Sequence, residues 1–475
     1  MTSAEQPEAF EPIPRRVWHL AAVIVFGAFM SGLDATIVNV GLDTIARDLH
    51  ASLDDVQWVA SAHLIALGVS LPAAGWLGRR VGVGRMWLTA LAAFTATSAL
   101  CAAARSVEVL IVLRVAQGIA AGVLIPAGQT VLGQAAGPGR LGRVMASVGL
   151  AVGLAPALGP VVGGLVIDGA SWPWLFLINV PIGIVGLVLG LRVIPRGAPE
   201  PEIRLDLAGL ALVTVGVPAL VYGLTAWGEQ RTLVAAGVLV PTVGGALLLA
   251  LFVRHARRHT APILDLGLFR IPTFAAACAT TLTSGAAMFG AFLLLPLYFQ
   301  SGRGSGVLET GLLSIGLSVG TAVTMPFVGG LVDRLGGGTI SVVGCAATAL
   351  TTFPFVLLDV DADGLVVQAL LVARGAALAL ALMPPTVAAY SAVGERQLPD
   401  AASQVNVLQR VGGALGGSLL AVTLAGALDG GTQAAFHRTF ACLTAFSLLG
   451  LASAVWLRRT ERAAGPAAST SLSTS

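Results

Sequence analysis

The chain has 475 residues, of which 56% are hydrophobic and 11% charged, with 59 glycines, a formal net charge of +3 and a mean hydropathy of +0.87. Soluble domains carry about 25% charged residues, so a soluble globular protein is excluded. The 27 basic residues are all arginine, strung between apolar runs rather than gathered in a stripe that tracks phosphates, which excludes nucleic-acid binding.

Apolar runs of about 20 residues recur from Val17 to Leu457, the length a helix needs to cross about 30 Å of hydrocarbon. The expected fold class is therefore an all-α polytopic membrane protein. Residues 1–16 read as a cytoplasmic tail ending in Arg15 and Arg16, and the run that follows is too long for a signal peptide. Cutting at charge clusters and turn residues predicts fourteen spans. Six of them, Val17–Leu42, Val56–Leu77, Met86–Ala104, Val107–Gln134, Val144–Ile167 and Trp174–Leu191, make one bundle over 17–191. Two more, Leu205–Trp227 and Leu233–Val253, fill 205–253. A second bundle over 274–457 holds Phe274–Phe299, Leu308–Val332, Ile340–Leu358, Leu365–Tyr390, Val405–Leu428 and Ala434–Leu457, and 458–475 is read as a disordered cytoplasmic tail. With both termini inside, only Arg47, Arg105, Arg231, Arg303 and Arg438 fall outside, a bias that orients the chain by the positive-inside rule. Cys101, Cys278, Cys345 and Cys442 lie within apolar runs without metal-ligand spacing, so neither disulfides nor a metal are expected.

An internal repeat supports two six-helix halves. Gly75, Leu77, Arg80 and Gly82, between the second and third spans, recur at a constant offset as Gly329, Leu331, Arg334 and Gly336. Duplicated six-helix units are a transporter plan, with the substrate site near the midplane between them.

Several motifs together resemble the major facilitator superfamily, and in particular its fourteen-helix drug:proton antiporter branch. Gly75 to Gly82 (GWLGRRVG) is similar to the superfamily's loop signature, and Leu110 to Gly118 (LIVLRVAQG) to its fourth-helix arginine motif. The run Ala155 to Gly164 (APALGPVVGG) resembles the fifth-helix antiporter signature, with Pro156, Gly159, Pro160, Gly163 and Gly164 as its hinge or seal. Leu33 to Val40, Leu268 to Phe274 and Leu408 to Gly416 resemble the fourteen-helix branch. The resemblance implies two six-helix halves with two extra central helices and export of hydrophobic small molecules against protons. It also implies alternating access in a bacterial inner membrane, with no cofactor beyond the proton gradient. There are two departures: Arg79 stands where the loop signature carries Asp, while the second copy keeps Asp333 beside Arg334, and His63 stands where the branch has Tyr.

An ionisable group at bilayer depth is a functional hypothesis by default. Asp34 is the sole deep carboxylate, about 25 Å up its helix at 1.5 Å per residue, and Arg114 and His63 fall at similar depth. Asp34 is thus read as the proton-coupling acid with Arg114 and His63 as partners; the alternatives are a fixed ion pair that only orients helices and a neutral, hydrogen-bonded histidine. Asn39, Trp58, Gln117, Phe292, Tyr298, Arg374 and Gln409 are candidates for the substrate cavity, though aromatic side chains on helices more often pack. Arg114 and Arg374 against Asp34 leave one formal positive charge in excess with Arg410 set aside, so dications are expected to be poor substrates. There is no P-loop, so ATP is not the energy source, and no catalytic constellation marks an enzyme. The expected partners are a hydrophobic small molecule, protons and the lipid bilayer, for a carrier acting as a monomer. The rival reading is a proton-coupled symporter importing a small nutrient on the same fold.

Overall fold

The computed structural model describes residues 12–137, 139–200, 202–230, 235–360 and 362–464. Most of the two predicted tails, together with Arg231, lies outside these residues. The long helices are α1 (Arg15–Ile37), α2 (Leu53–Val81), α3 (Val83–Ala102), α4 (Val107–Ala136), α5 (Leu141–Gly169), α6 (Asn179–Val193), α7 (Leu207–Gln230) and α8 (Ala236–Ala256). They continue as α9 (Pro272–Leu297), α10 (Val307–Leu335), α11 (Gly337–Thr352), α12 (Gly364–Ser391), α13 (Leu398–Ala427) and α14 (Thr432–Ala464). Twelve helical segments among the described residues are long and apolar enough to cross a membrane, and α3 and α5 pack among them. A helix satisfies its backbone groups internally, which hydrocarbon demands.

Local chemistry places the ends. Ser52 and Ser106 cap α2 and α4 by accepting from the amides of Asp55 and Val109. At the other end of α2 the repeat glycine Gly82 has φ +89°, and its counterpart Gly336 ends α10 at φ +82°. A side chain there would be strained, so the repeated glycine has a backbone reason.

Packing repeats as the sequence does. In the first half α2 packs on α4, α1 on α5 and α6, and α3 on α4 and α6. In the second half the counterparts recur: α10 on α12, α9 on α13 and α14, and α11 on α12 and α14. The two halves meet through α5 against α10 and α2 against α13. Helices α7 and α8 pair with each other, and α7 leans on α13 and α2. The buried Asp206 ties this pair down: it accepts from the amides of Gly209 (2.8 Å) and Ile263 (3.3 Å) and bonds His255 Nε2 at 2.8 Å.

Two helices extend seven residues beyond expectation. Helix α13 begins at Leu398, seven residues before the predicted Val405, because Pro399 occupies its first turn and the polar residues Asp400, Ser403 and Gln404 are buried by neighbouring helices. Helix α14 runs on to Ala464, past the predicted end at Leu457 and into the stretch expected to be disordered, with Glu461 accepting from the Gly338 amide at 2.6 Å.

Candidate functional site

Close helix approach comes first. In α4, a Cβ on Gly118 would meet the His63 carbonyl, and one on Gly122 the Leu67 carbonyl, so two glycines four residues apart let α2 lie against α4. Five helices then bring buried polar groups to one point. Asp34 of α1 is fully buried. Its Oδ2 accepts from Arg114 Nη1 at 2.5 Å, and its Oδ1 accepts from Gln117 Nε2 at 3.1 Å and from Asn179 Nδ2 at 2.8 Å. Arg114 also donates to Gln117 Oε1 (2.7 Å) and through Nε to the Val59 carbonyl (2.9 Å), and its guanidinium carbon sits 5.7 Å from the centre of the Phe176 ring. Gln117 donates onward to Ser98 Oγ at 2.7 Å. His63 Nε2 stands 3.8 Å from Asp34 Oδ2, and neither ring nitrogen has a hydrogen-bond partner. The predicted trio of Asp34, Arg114 and His63 is therefore in one place, with Gln117 inside the network rather than facing open space.

Asn179, Ser98 and Phe176 were not singled out from sequence. Asn179 carried a signal, as an amide beginning an apolar run at the same end of the bundle as Asp34; Ser98 and Phe176 carried none, being an ordinary small polar residue and an ordinary aromatic.

The second half is built differently. Arg374 of α12 is buried and donates to Thr352 Oγ1 and to the Ala287 carbonyl (3.3 Å); among the described residues it meets no carboxylate. Tyr298 is buried inside a cluster with Phe355, Phe436 and Phe440, at centroid distances of 5.4–6.1 Å, so its ring is occupied by packing. Trp58, Asn39 and Phe292 are exposed, and Gln409 is half-buried with its backbone against Gly285.

The hinge run lies in α5 between two neighbours. A Cβ on Gly159 would strike Thr36 and one on Gly163 would meet Ile37, both in or next to the end of α1; a Cβ on Gly164 meets open space. Nearer the start of α5, Gly142 abuts Gly329 and Asp333, Gly149 abuts Met325, and Gly153 abuts Thr321, all on α10. Pro156 and Pro160 belong to the helix, and their side chains lie outside the described set.

At the arginine-rich end the halves are latched twice. Asp333 accepts from the amides of Gly142 (2.8 Å) and Arg143 (3.2 Å) and from Arg143 Nε (2.9 Å). Arg79 Nε lies 3.4 Å from Asp400 Oδ2, and Gly75 leaves room for that carboxylate. Where the loop signature carries an acid, Arg79 thus pairs with an acid of the second half. Gln129 Oε1 accepts from Tyr390 (2.9 Å) and Asn406 (2.7 Å), and Ser403 donates to the Leu71 carbonyl (2.6 Å). Beyond these bonds a Cβ at Gly68 of α2 or Gly417 of α13 meets nothing, so the two helices diverge toward the far end.

Among the described residues a metal has one candidate place. Asp206, His255 and His259 offer ligand atoms within 4.8 Å of one another, but both Asp206 oxygens already accept the amides that cap α7 and hold the connector. The cluster reads as a helix cap.

The family profile described as Major Facilitator Superfamily matches residues 24–417. The multidrug resistance protein B homolog of Mycobacterium tuberculosis is 35% identical over 408 residues, covering 85% of this chain and 75% of that protein. The tetracenomycin C resistance and export protein of Streptomyces glaucescens is 31% identical, covering 86% and 76%. Among solved structures, a proton:xylose symporter of the superfamily superposes with a TM-score of 0.64 at 14% identity, over 94% of this chain and 96% of that one, which shows the fold. A multi-pass helical chain with duplicated packing, latched between its halves and matching these relatives, is a transport protein: it belongs to the major facilitator superfamily, in the drug:proton antiporter branch.

Proposed function

We propose that the chain is a proton-coupled antiporter that exports hydrophobic small molecules across a bacterial inner membrane by alternating access. In this reading fourteen helices cross the membrane as six, two and six, both termini and the arginine-rich end are cytoplasmic, and the latched arrangement faces outward. The observation that carries it is Asp34, a fully buried carboxylate held by three donors beside an unpartnered histidine.

The geometry supplies a route from proton to movement. Ionised, Asp34 ties α1 to α4 and α6 through Arg114, Gln117 and Asn179. Protonated, it gives up the charge that holds Arg114, which keeps Gln117, the Val59 carbonyl and the Phe176 face as partners. That loosens α1, and α1 bears directly on α5 at Gly159 and Gly163, while the other end of α5 seals against α10. Small residues at both contacts make the seal dependent on close fit. In this reading His63, whose Nε2 is 3.8 Å from Asp34 Oδ2, relays the proton to and from Asp34. The relatives named for resistance and export favour outward transport over import.

The test is reconstitution of the full chain in proteoliposomes with an imposed pH gradient. Movement of a lipophilic probe opposite to the proton flow is expected; probe movement with the protons would establish the symporter instead.

A further inference from the structure

Like Arg374, which bonds Thr352 and the Ala287 carbonyl, Arg410 is a charged side chain of the bundle interior that neither the proton network nor the latches use. Its position follows from the register of α13. Asp400, Ser403 and Asn406 of this helix face the first half, meeting Arg79, the Leu71 carbonyl and Gln129. Arg410 lies one turn beyond Asn406 and two beyond Ser403, hence on the same face. It stands about 18 Å from the start of the helix, near the middle of the bundle, where α2 and α13 have separated. The far face of α13, at Gly412 and Gly416, packs on α9 against Leu282 and Ala286, while Gly413, beside the Arg410 face, packs on Phe289.

Nothing described neutralises it. Arg410 is half-buried and makes no hydrogen bond or ion pair with any described residue. The carboxylates nearest the interface are committed: Asp34 to Arg114, Asp400 to Arg79 and Asp333 to Arg143. The buried His63 lies within electrostatic reach, and an imidazole carries no negative charge. The flanking surface is apolar: Leu64, exposed on the stripe of α2 that continues from Leu71, and Phe289 on Gly413, with Phe292 edge-on at 6.2 Å.

A guanidinium beside open space is hydrated while the cleft faces water. When the halves close over it, water leaves and an unpaired cation becomes costly. A ligand bearing its own anionic group removes that cost, and the planar fork of Arg matches a carboxylate or sulfonate with two parallel hydrogen bonds. We propose that Arg410 is the anion-recognition residue of the transport cleft, and that the preferred substrates are apolar compounds carrying one acidic group. This rests on the antiporter reading and names its substrate class.

The experiment is equilibrium binding of three tritiated probes of matched shape to the purified full chain: 2-naphthoate, 2-naphthamide and 2-(aminomethyl)naphthalene. Wild type is expected to bind naphthoate at least about tenfold more tightly than the amide, the scale of a charge-assisted hydrogen bond. Arg410→Gln should lose that advantage and keep amide binding, Arg410→Lys should keep most of it, and Arg410→Glu should favour the amine. Naphthoate that binds wild type no better than the amide, or binds the Gln variant unchanged, overturns the assignment. If the Gln variant binds neither probe, the Lys variant decides: naphthoate binding near wild type upholds the assignment and its loss overturns it. Binding needs no gradient, so a wild-type protein that binds naphthoate selectively yet shows no pH-driven flux would count against the antiporter reading alone.

Discussion

Arg114 of α4 and Arg374 of α12 occupy corresponding helices of the two halves in opposite chemical settings. Arg114 faces a carboxylate, an amide side chain, a backbone carbonyl and an aromatic ring, with a histidine next to the carboxylate. Arg374 faces a hydroxyl and a carbonyl, neither of which titrates in any accessible range. Duplication supplied the same helix twice, and the acid then went to one copy only. The proton chemistry is therefore expected in the first half, while the second half contributes positive charge, at Arg374 and at Arg410 on the cleft. The latches show the same divergence: one joins Arg143 of the first half to Asp333 of the second, the other Arg79 of the first to Asp400 of the second. Charge polarity across the interface is thus the same in both, with arginine always on the first half.

The largest expected effect tests the contrast directly. Asp34→Asn should bring pH-driven flux in proteoliposomes to background while the protein still folds, since the amide keeps the size and most hydrogen bonds but cannot titrate. Arg374→Gln should keep pH-driven flux within about tenfold of wild type, the scale of two neutral hydrogen bonds. Equal collapse of flux in both variants would break the division of labour.

A bulky residue at the α1–α5 contact should come next. Gly159→Leu drives a side chain into Thr36, so flux should fall by about tenfold or more while equilibrium binding of a neutral probe persists. Unchanged flux would show that the run is ordinary packing and that α1 does not transmit to α5.

The latches sharpen the comparison through a charge exchange. Arg79→Asp sets two carboxylates face to face and Asp400→Arg two guanidinium groups, and each should slow transport by several-fold because the Arg143–Asp333 latch still holds. The double variant Arg79→Asp with Asp400→Arg should recover most of the rate. Failure of the double exchange to recover would show that backbone fit around Gly75, and not charge, makes this contact.

The smallest effect is expected at Asn179, where Ala removes one hydrogen bond to a buried carboxylate that keeps two other donors. A stability loss of about 1.5–3 kcal/mol, read from thermal unfolding in detergent, fits a bond to a charged group. A loss several times larger would mean that α6 is anchored by this amide alone.

How much of this was legible in the chain itself varies with the kind of residue. Asp34, Arg114 and His63 could be grouped by depth because ionisable residues are rare in apolar runs and helix rise converts position to height. Tyr298, Trp58 and Phe292 could not be sorted into cavity or packing, since an aromatic side chain serves either and only its neighbours decide. With its start at Leu398 and not at the expected Val405, α13 carries Arg410 in the middle of the bundle, on the face turned to the other half.

By itself the sequence determined the class of molecule, the order of its apolar helices, the arginine asymmetry, the repeat and the single deep acid, because each is a property of composition or short spacing that lipid imposes on every span. Only the tertiary structure decided that Arg79 finds Asp400, that Asn179 joins Asp34, that one end is latched and that Arg410 is left half-buried without a partner among the described residues. Those contacts join helices up to hundreds of residues apart and depend on where each helix starts and how it is rotated. One residue of register turns a side chain by about 100°, and a helix apolar on nearly all sides carries no pattern from which that rotation can be read.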